Sequence, residues 1–162
     1  MYERFCPKKL SSFRGFTLIE FLVVTMIIGI LFGIGVAQYM NFNRRQILGQ
    51  TAQELKNNLR LAQMKAISGE KPVGCGVLDG YRVKFASNDS DNYTLVAVCE
   101  GVETGETKTF SLPSVVKFSS LPSPILFKVL SQGTDLDSDL IISLTAFGKI
   151  KTITVSKEGK IE

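Results

Sequence analysis

RGFTLIEFLVVTMIIGILFGIGVAQYM runs from Arg14 to Met40 and sets one carboxylate, Glu20, just inside a nearly unbroken apolar run. From Phe16 to Tyr39 the other polar side chains are Thr17, Thr25 and Gln38. As a helix this segment reaches about 36 Å, enough for a hydrocarbon layer of about 30 Å. A carboxylate held deep in that layer costs roughly 2.5–3.5 kcal/mol, so it needs either a partner or a use. In the first helical turn, however, an acid also complements the helix dipole and can sit near the headgroups.

Outward from this stretch, Arg4, Lys8, Lys9 and Arg14 precede the apolar run, and Glu3 alone opposes them. The excess of cations ahead of the run, against Arg44 and Arg45 behind it, places the N-terminus on the cytoplasmic side. The net charge of +4 is mostly a property of these first residues and leaves about +1 for the rest, little reason to expect a nucleic-acid-binding domain. A secretory signal with a small-x-small site at Gly35-Val36-Ala37 is the alternative. Its usual short h-region fits neither the length of this run nor Glu20.

The chain has 162 residues, 44% of them hydrophobic, which suits one domain with a core of its own. It contains no histidine and no tryptophan. A Ser-His-Asp triad, a Cys-His pair and a His-ligated zinc site are thereby excluded, so an enzyme is not expected, nor is a cofactor or metal site.

Past the membrane segment, Leu48, Ala52, Leu55, Leu59, Ala62 and Ala66 recur at steps of four and three, which predicts that the helix continues to about Ser68. Gly69 and Pro72 then end it. Small alanines in the stripe favour packing on a sheet over a coiled coil. Strands are expected at Val73–Leu78 and Tyr81–Ala86 around an Asp79-Gly80 hairpin, and at Tyr93–Glu100 after a polar loop, Ser87–Asn92. Further strands are expected at Lys108–Leu112, Val115–Phe118, Ile125–Leu130, Leu140–Thr145 and Lys151–Ser156. The fold class is α+β: a long N-terminal helix whose second half packs on an antiparallel β-sheet. The expected segments are a leader, 1–15; a membrane-spanning helix, 16–39; its amphipathic continuation, 40–69; and an exported β-rich domain, 70–162.

RGFTLIE resembles the type III signal of type IV pilins and pseudopilins: a basic leader ending in Gly, then Phe, with Glu fifth after the junction. The resemblance implies cleavage between Gly15 and Phe16 by a prepilin peptidase, N-methylation of Phe16, and pairing of Glu20 with a neighbour's N-terminus in a filament. It implies a structural subunit that sits in the inner membrane, in contact with lipid, before assembly and joins other pilins or pseudopilins through an assembly platform. LAQMKAISGEKPVGCGV, ILFKVLSQG and KTITVSKEGKIE are similar to the helix end and strands of GspH/FimT-type minor pseudopilins, which implies a place in assembly initiation or the tip complex. Many pilins carry a proline in the membrane helix; this one has none there, though Gly29 and Gly33 have the small-xxx-small spacing of close-packed membrane helices.

Other constellations are weaker. Cys6 leaves with the leader, whereas Cys75 and Cys99 reach an oxidising compartment and can pair. A simple meander would set their strands roughly 9–10 Å apart, beyond disulfide reach, so the pairing stays open. Asp135, Asp137 and Asp139 resemble part of a calcium loop but lack its glycine and closing glutamate, and read better as a solvated turn. The sequons at Asn88 and Asn92 mark an exposed loop. Lys149, Lys151, Lys157 and Lys160 are candidate DNA contacts of a DNA-uptake pilus, the rival function. Glu158 and Glu162 dilute that patch, and a charged edge that discourages strand aggregation fits it better.

Overall fold

The computed structural model describes residues 15, 17–86 and 92–162, with the side chains at 34, 35 and 37 excepted. The leader up to Arg14, Cys6 within it, the methylation candidate Phe16 and the Asn88 sequon lie outside the described residues. The architecture is α+β, as the hydrophobic pattern requires. Among the described residues a 51-residue helix, α1 (Leu18–Ser68), is followed by seven strands: β1 (Leu78–Ala86), β2 (Asn92–Cys99), β3 (Val102–Ser111), β4 (Lys117–Phe118), β5 (Ile125–Lys128), β6 (Leu140–Ala146) and β7 (Lys149–Val155). The chain divides into two compact units between Asn41 and Phe42.

Both ends of α1 are written in local chemistry. Thr17 stands just before it, and its Oγ1 accepts the Glu20 backbone N–H at 3.3 Å, which satisfies a donor that the first turn leaves free. At the other end Gly69 takes a left-handed φ of +65°. Its N–H donates to the Ala66 carbonyl and that of Glu70 to the Lys65 carbonyl, the paired bonds of a Schellman cap.

In the second unit, all six residues of the predicted stripe, Leu48, Ala52, Leu55, Leu59, Ala62 and Ala66, are buried in one core with the strands. The strands form two antiparallel sheets rather than one. The larger has the order β3-β2-β1-β5 and the smaller β4-β6-β7. Phe127, Ile125, Val83, Ile142, Leu144 and Val155 from both sheets fill the space against the helix stripe. β3 closes one edge of the larger sheet with a mostly exposed, charged sequence, a composition that discourages pairing with another chain.

The expected hairpin at Asp79-Gly80 does not form. Residues 73–77 are loop, and β1 runs through both residues with a register shift between Leu78 and Gly80. Gly80 serves proximity here. A Cβ at this position would lie 2.0 Å from the Phe127 carbonyl oxygen on neighbouring β5, so only glycine lets the two backbones approach. A shorter correction applies to β5, which ends at Lys128 where a 3-10 turn, Val129–Ser131, takes over.

Candidate functional site

The N-terminal half of α1 exposes nearly every apolar side chain it carries, from Leu18 and Phe21 through Phe32 to Tyr39. It is long and apolar enough to cross a membrane. Its polar groups are handled in two ways. Thr25 donates its hydroxyl to the Leu22 carbonyl at 2.9 Å, so it brings no unsatisfied donor into an apolar medium. Glu20 is exposed in the first turn and makes no ion pair among the described residues. Its backbone is capped by Thr17, while its carboxylate stands on a largely apolar surface with no cationic partner among the described residues. Such a group is costly to bury alone and favourable to bury against a cation.

Thr17-Leu18-Ile19-Glu20 has the T-x-x-E spacing of a capping box, a signal that hydrophobic patterning alone passes over. It marks the start of the helix without reference to the membrane. Downstream, a Cβ built at Gly29 or at Gly33 meets nothing within 4 Å, so both glycines lie on open helix surface.

Cys75 and Cys99 are joined as a disulfide, with Cα atoms 5.7 Å apart. The meander that argued against the bridge depended on the hairpin that does not form. With residues 73–77 in a loop, Cys75 is free to approach the end of β2, where Cys99 pairs with Leu78 at the start of β1. The bridge ties the helix-to-sheet loop to the larger sheet. Tyr81 tightens the same corner by donating its hydroxyl to the Glu70 carbonyl at 2.8 Å. The Lys65–Glu70 ion pair beside it raises the lysine pKa, chiefly through its hydrogen bond, and burial raises that of Tyr81.

The four C-terminal lysines do not form one patch. Lys149 and Lys151 stand at the start of β7, beside the turn from β6. Lys157 and Lys160 lie beyond its far end, where Gln63 donates to the Gly159 carbonyl, and they pair with Glu158 and Glu162. From Lys149 to the far end of β7 is about 20 Å and from Lys151 about 13 Å, so the two pairs are set apart along the strand.

Asp135 is held within the fold itself, since its Oδ1 accepts the Leu126 N–H at 2.8 Å and its own N–H donates back to the Leu126 carbonyl. No group of three or more metal-binding side chains occurs among the described residues. The Asn92 sequon lies within β2 with Tyr93 buried, and so does not mark an exposed loop.

No curated protein and no solved structure matches this chain. Residues 10–36 match the family model described as the Prokaryotic N-terminal methylation motif, which supports the type IV pilin and pseudopilin class.

Proposed function

We propose that this chain is a minor pilin or pseudopilin of the GspH/FimT type, a structural subunit of a type IV pilus or type II secretion pseudopilus. A prepilin peptidase cuts between Gly15 and Phe16, and Phe16 is methylated. The exposed half of α1 anchors the subunit in the inner membrane with its N-terminus cytoplasmic and residues 70–162 exported. An assembly platform then extracts it into a filament of pilins or pseudopilins, where it joins the initiating or tip complex. No catalytic role is assigned.

The observation that carries this reading is the placement of Glu20. It is an acidic side chain with no ion pair among the described residues, in the capped first turn of an exposed apolar helix, inside the matched motif. The new ammonium at residue 16 of a neighbouring subunit is its natural partner, because each charge offsets the other's desolvation. The Cys75–Cys99 disulfide supports export, since such bonds persist in oxidising compartments. Division of the four lysines between two ends of β7 supports a structural role over DNA uptake.

Intact-mass measurement after co-expression with a prepilin peptidase tests the processing step. The expected product has lost Met1–Gly15 and gained one methyl group at its new N-terminus. A product cut after Ala37 would mark a secretory signal and contradict the proposal.

A further inference from the structure

The turn between β6 and β7 is built unlike an ordinary hairpin loop. Ala146 pairs with Lys149, leaving a two-residue loop of Phe147 and Gly148 with φ of +53° and +70°. Such turns favour Asn-Gly or Asp-Gly, and a bulky residue in the left-handed region is an outlier. Phe147 is nonetheless 43% exposed, and the guanidinium of Arg44 lies 5.2 Å above its ring. Three residues along the chain Ile150 is 64% exposed, and Lys149 and Lys151, on the other face of β7, reach solvent. Lys117, exposed on β4, pairs with Thr145, two residues before Phe147.

Arg44 sits at the start of the second unit, on the stretch of α1 that follows directly from the apolar run ending at Tyr39. Along the chain Arg44 follows Tyr39 by five residues, and within the second unit it covers the Phe147 ring. Arg44, Arg45, Lys149, Lys151 and Lys117 make no ion pair among the described residues, whereas Lys65, Arg82, Lys84, Lys157 and Lys160 each do. A strained, exposed aromatic with an exposed aliphatic neighbour, accompanied by uncompensated cations, is the composition of an interfacial anchor: apolar tips enter the headgroup layer and cations meet its phosphates.

We infer that the β6–β7 turn is a foot that rests on anionic phospholipid headgroups while the subunit is in the membrane, with Phe147 and Ile150 as its apolar contacts and Arg44, Arg45, Lys149, Lys151 and Lys117 as its cations. The inference rests on the reading of the first half of α1 as membrane-spanning. It assigns Lys149 and Lys151 to lipid instead of DNA. It also gives assembly a step in which these contacts are released.

The chain lacks tryptophan, so a single introduced indole reports its own surroundings. The full chain carrying Phe147→Trp is reconstituted in phosphatidylcholine vesicles with and without phosphatidylglycerol. With the anionic lipid, emission shifts to the blue and loses roughly half its intensity when the lipids are brominated near the headgroup. Both effects shrink in high salt and in the Lys149→Gln/Lys151→Gln background. Ile150→Trp gives the same readout if the turn does not tolerate the larger ring. Val73→Trp, at a fully exposed position in the loop beyond α1, stays accessible to aqueous iodide. Leu31→Trp, in the apolar run, reports membrane insertion. Iodide quenching of Phe147→Trp and Ile150→Trp as complete as that of Val73→Trp, with Leu31→Trp lipid-quenched, overturns the foot alone. Absence of lipid quenching at Leu31→Trp overturns the membrane reading and the foot together. A blue shift produced by duplex DNA at physiological salt, and not by anionic vesicles, hands the turn to the DNA-binding rival.

Discussion

The two halves of α1 are one continuous helix with opposite surroundings. Leu22 and Ile27 in the first half are 58% and 52% exposed, while Leu55 and Leu59 in the second are 0% exposed. Good helix formers occur in both halves, so propensity does not separate them. What separates them is the periodicity of the apolar positions. In the second half they keep to one stripe, which the chain's own sheets cover. In the first they surround the helix, and a helix apolar on all sides needs a partner that a single chain does not supply. Lipid before assembly and neighbouring subunits after it meet that need in the proposed function, and Glu20 is the feature that tells the two environments apart.

The comparison breaks most readily at the stripe. Leu59→Ala leaves a cavity beneath two sheets and should destabilise the unit beginning at Phe42 by roughly 2–5 kcal/mol in denaturant unfolding. Leu22→Ala should leave that transition unchanged, because Leu22 is no member of the core. Equal losses from the two substitutions would mean that the halves share one folding unit.

Opening the disulfide comes next. The cysteines are separated by 24 residues, so Cys75→Ser should cost about 3 kcal/mol in the same assay, with reduction of the parent giving a similar loss. Insensitivity to reductant would remove the bridge as a constraint on the second unit.

A finer probe is Tyr93→Phe. Asn58 donates its side-chain N–H to the Tyr93 hydroxyl at 2.7 Å, a polar link between α1 and the larger sheet. Removing the hydroxyl should cost about 1 kcal/mol. The effect should be absent if Asn58 is already Ala.

Smallest of these is a pH effect on the outer face. A hydrogen bond from Lys84, then one from Arg82, holds the Glu103 carboxyl below its usual range. Its contribution is therefore present above the ordinary carboxylate pKa and disappears as pH falls through the depressed folded value. Glu103 is a third exposed, so the loss should stay below about 1 kcal/mol. Comparing the parent with Glu103→Gln across acidic pH isolates it: the parent's advantage should shrink as pH falls, and an advantage that stays constant or grows toward acid would contradict the assignment.

How much of this is legible in the sequence differs between the same two regions. The apolar segment and the stripe are readable because each depends on a pattern within one helix, and Leu48 to Ala66 are buried as that pattern demands. The β-rich region is readable only where strands alternate. Alternation starts β3 at Lys108, although the strand begins at Val102, because an edge strand facing solvent carries no apolar period. Asp79-Gly80 imitates a hairpin, since the approach of the Phe127 carbonyl that requires glycine comes from a strand far along the chain. The same imitation underlies the objection to the disulfide. Phe147 carries no turn signal at all, and its meaning depends on Arg44, which the fold brings to it.

The most direct test of the central claim, that Glu20 is retained for pairing within a filament, is incorporation of Glu20→Gln into sheared filaments when the variant is expressed with the parent's assembly machinery. The substitution keeps shape and hydrogen-bonding capacity and removes only charge. Cleavage after Gly15 and membrane insertion should persist, because the junction is intact and a neutral side chain is easier to insert. Filament incorporation should fall sharply, since a neighbour's ammonium would be left unpaired in a low-dielectric bundle. Incorporation at the parental level would show Glu20 to be an interfacial first-turn acid and would contradict the assembly role.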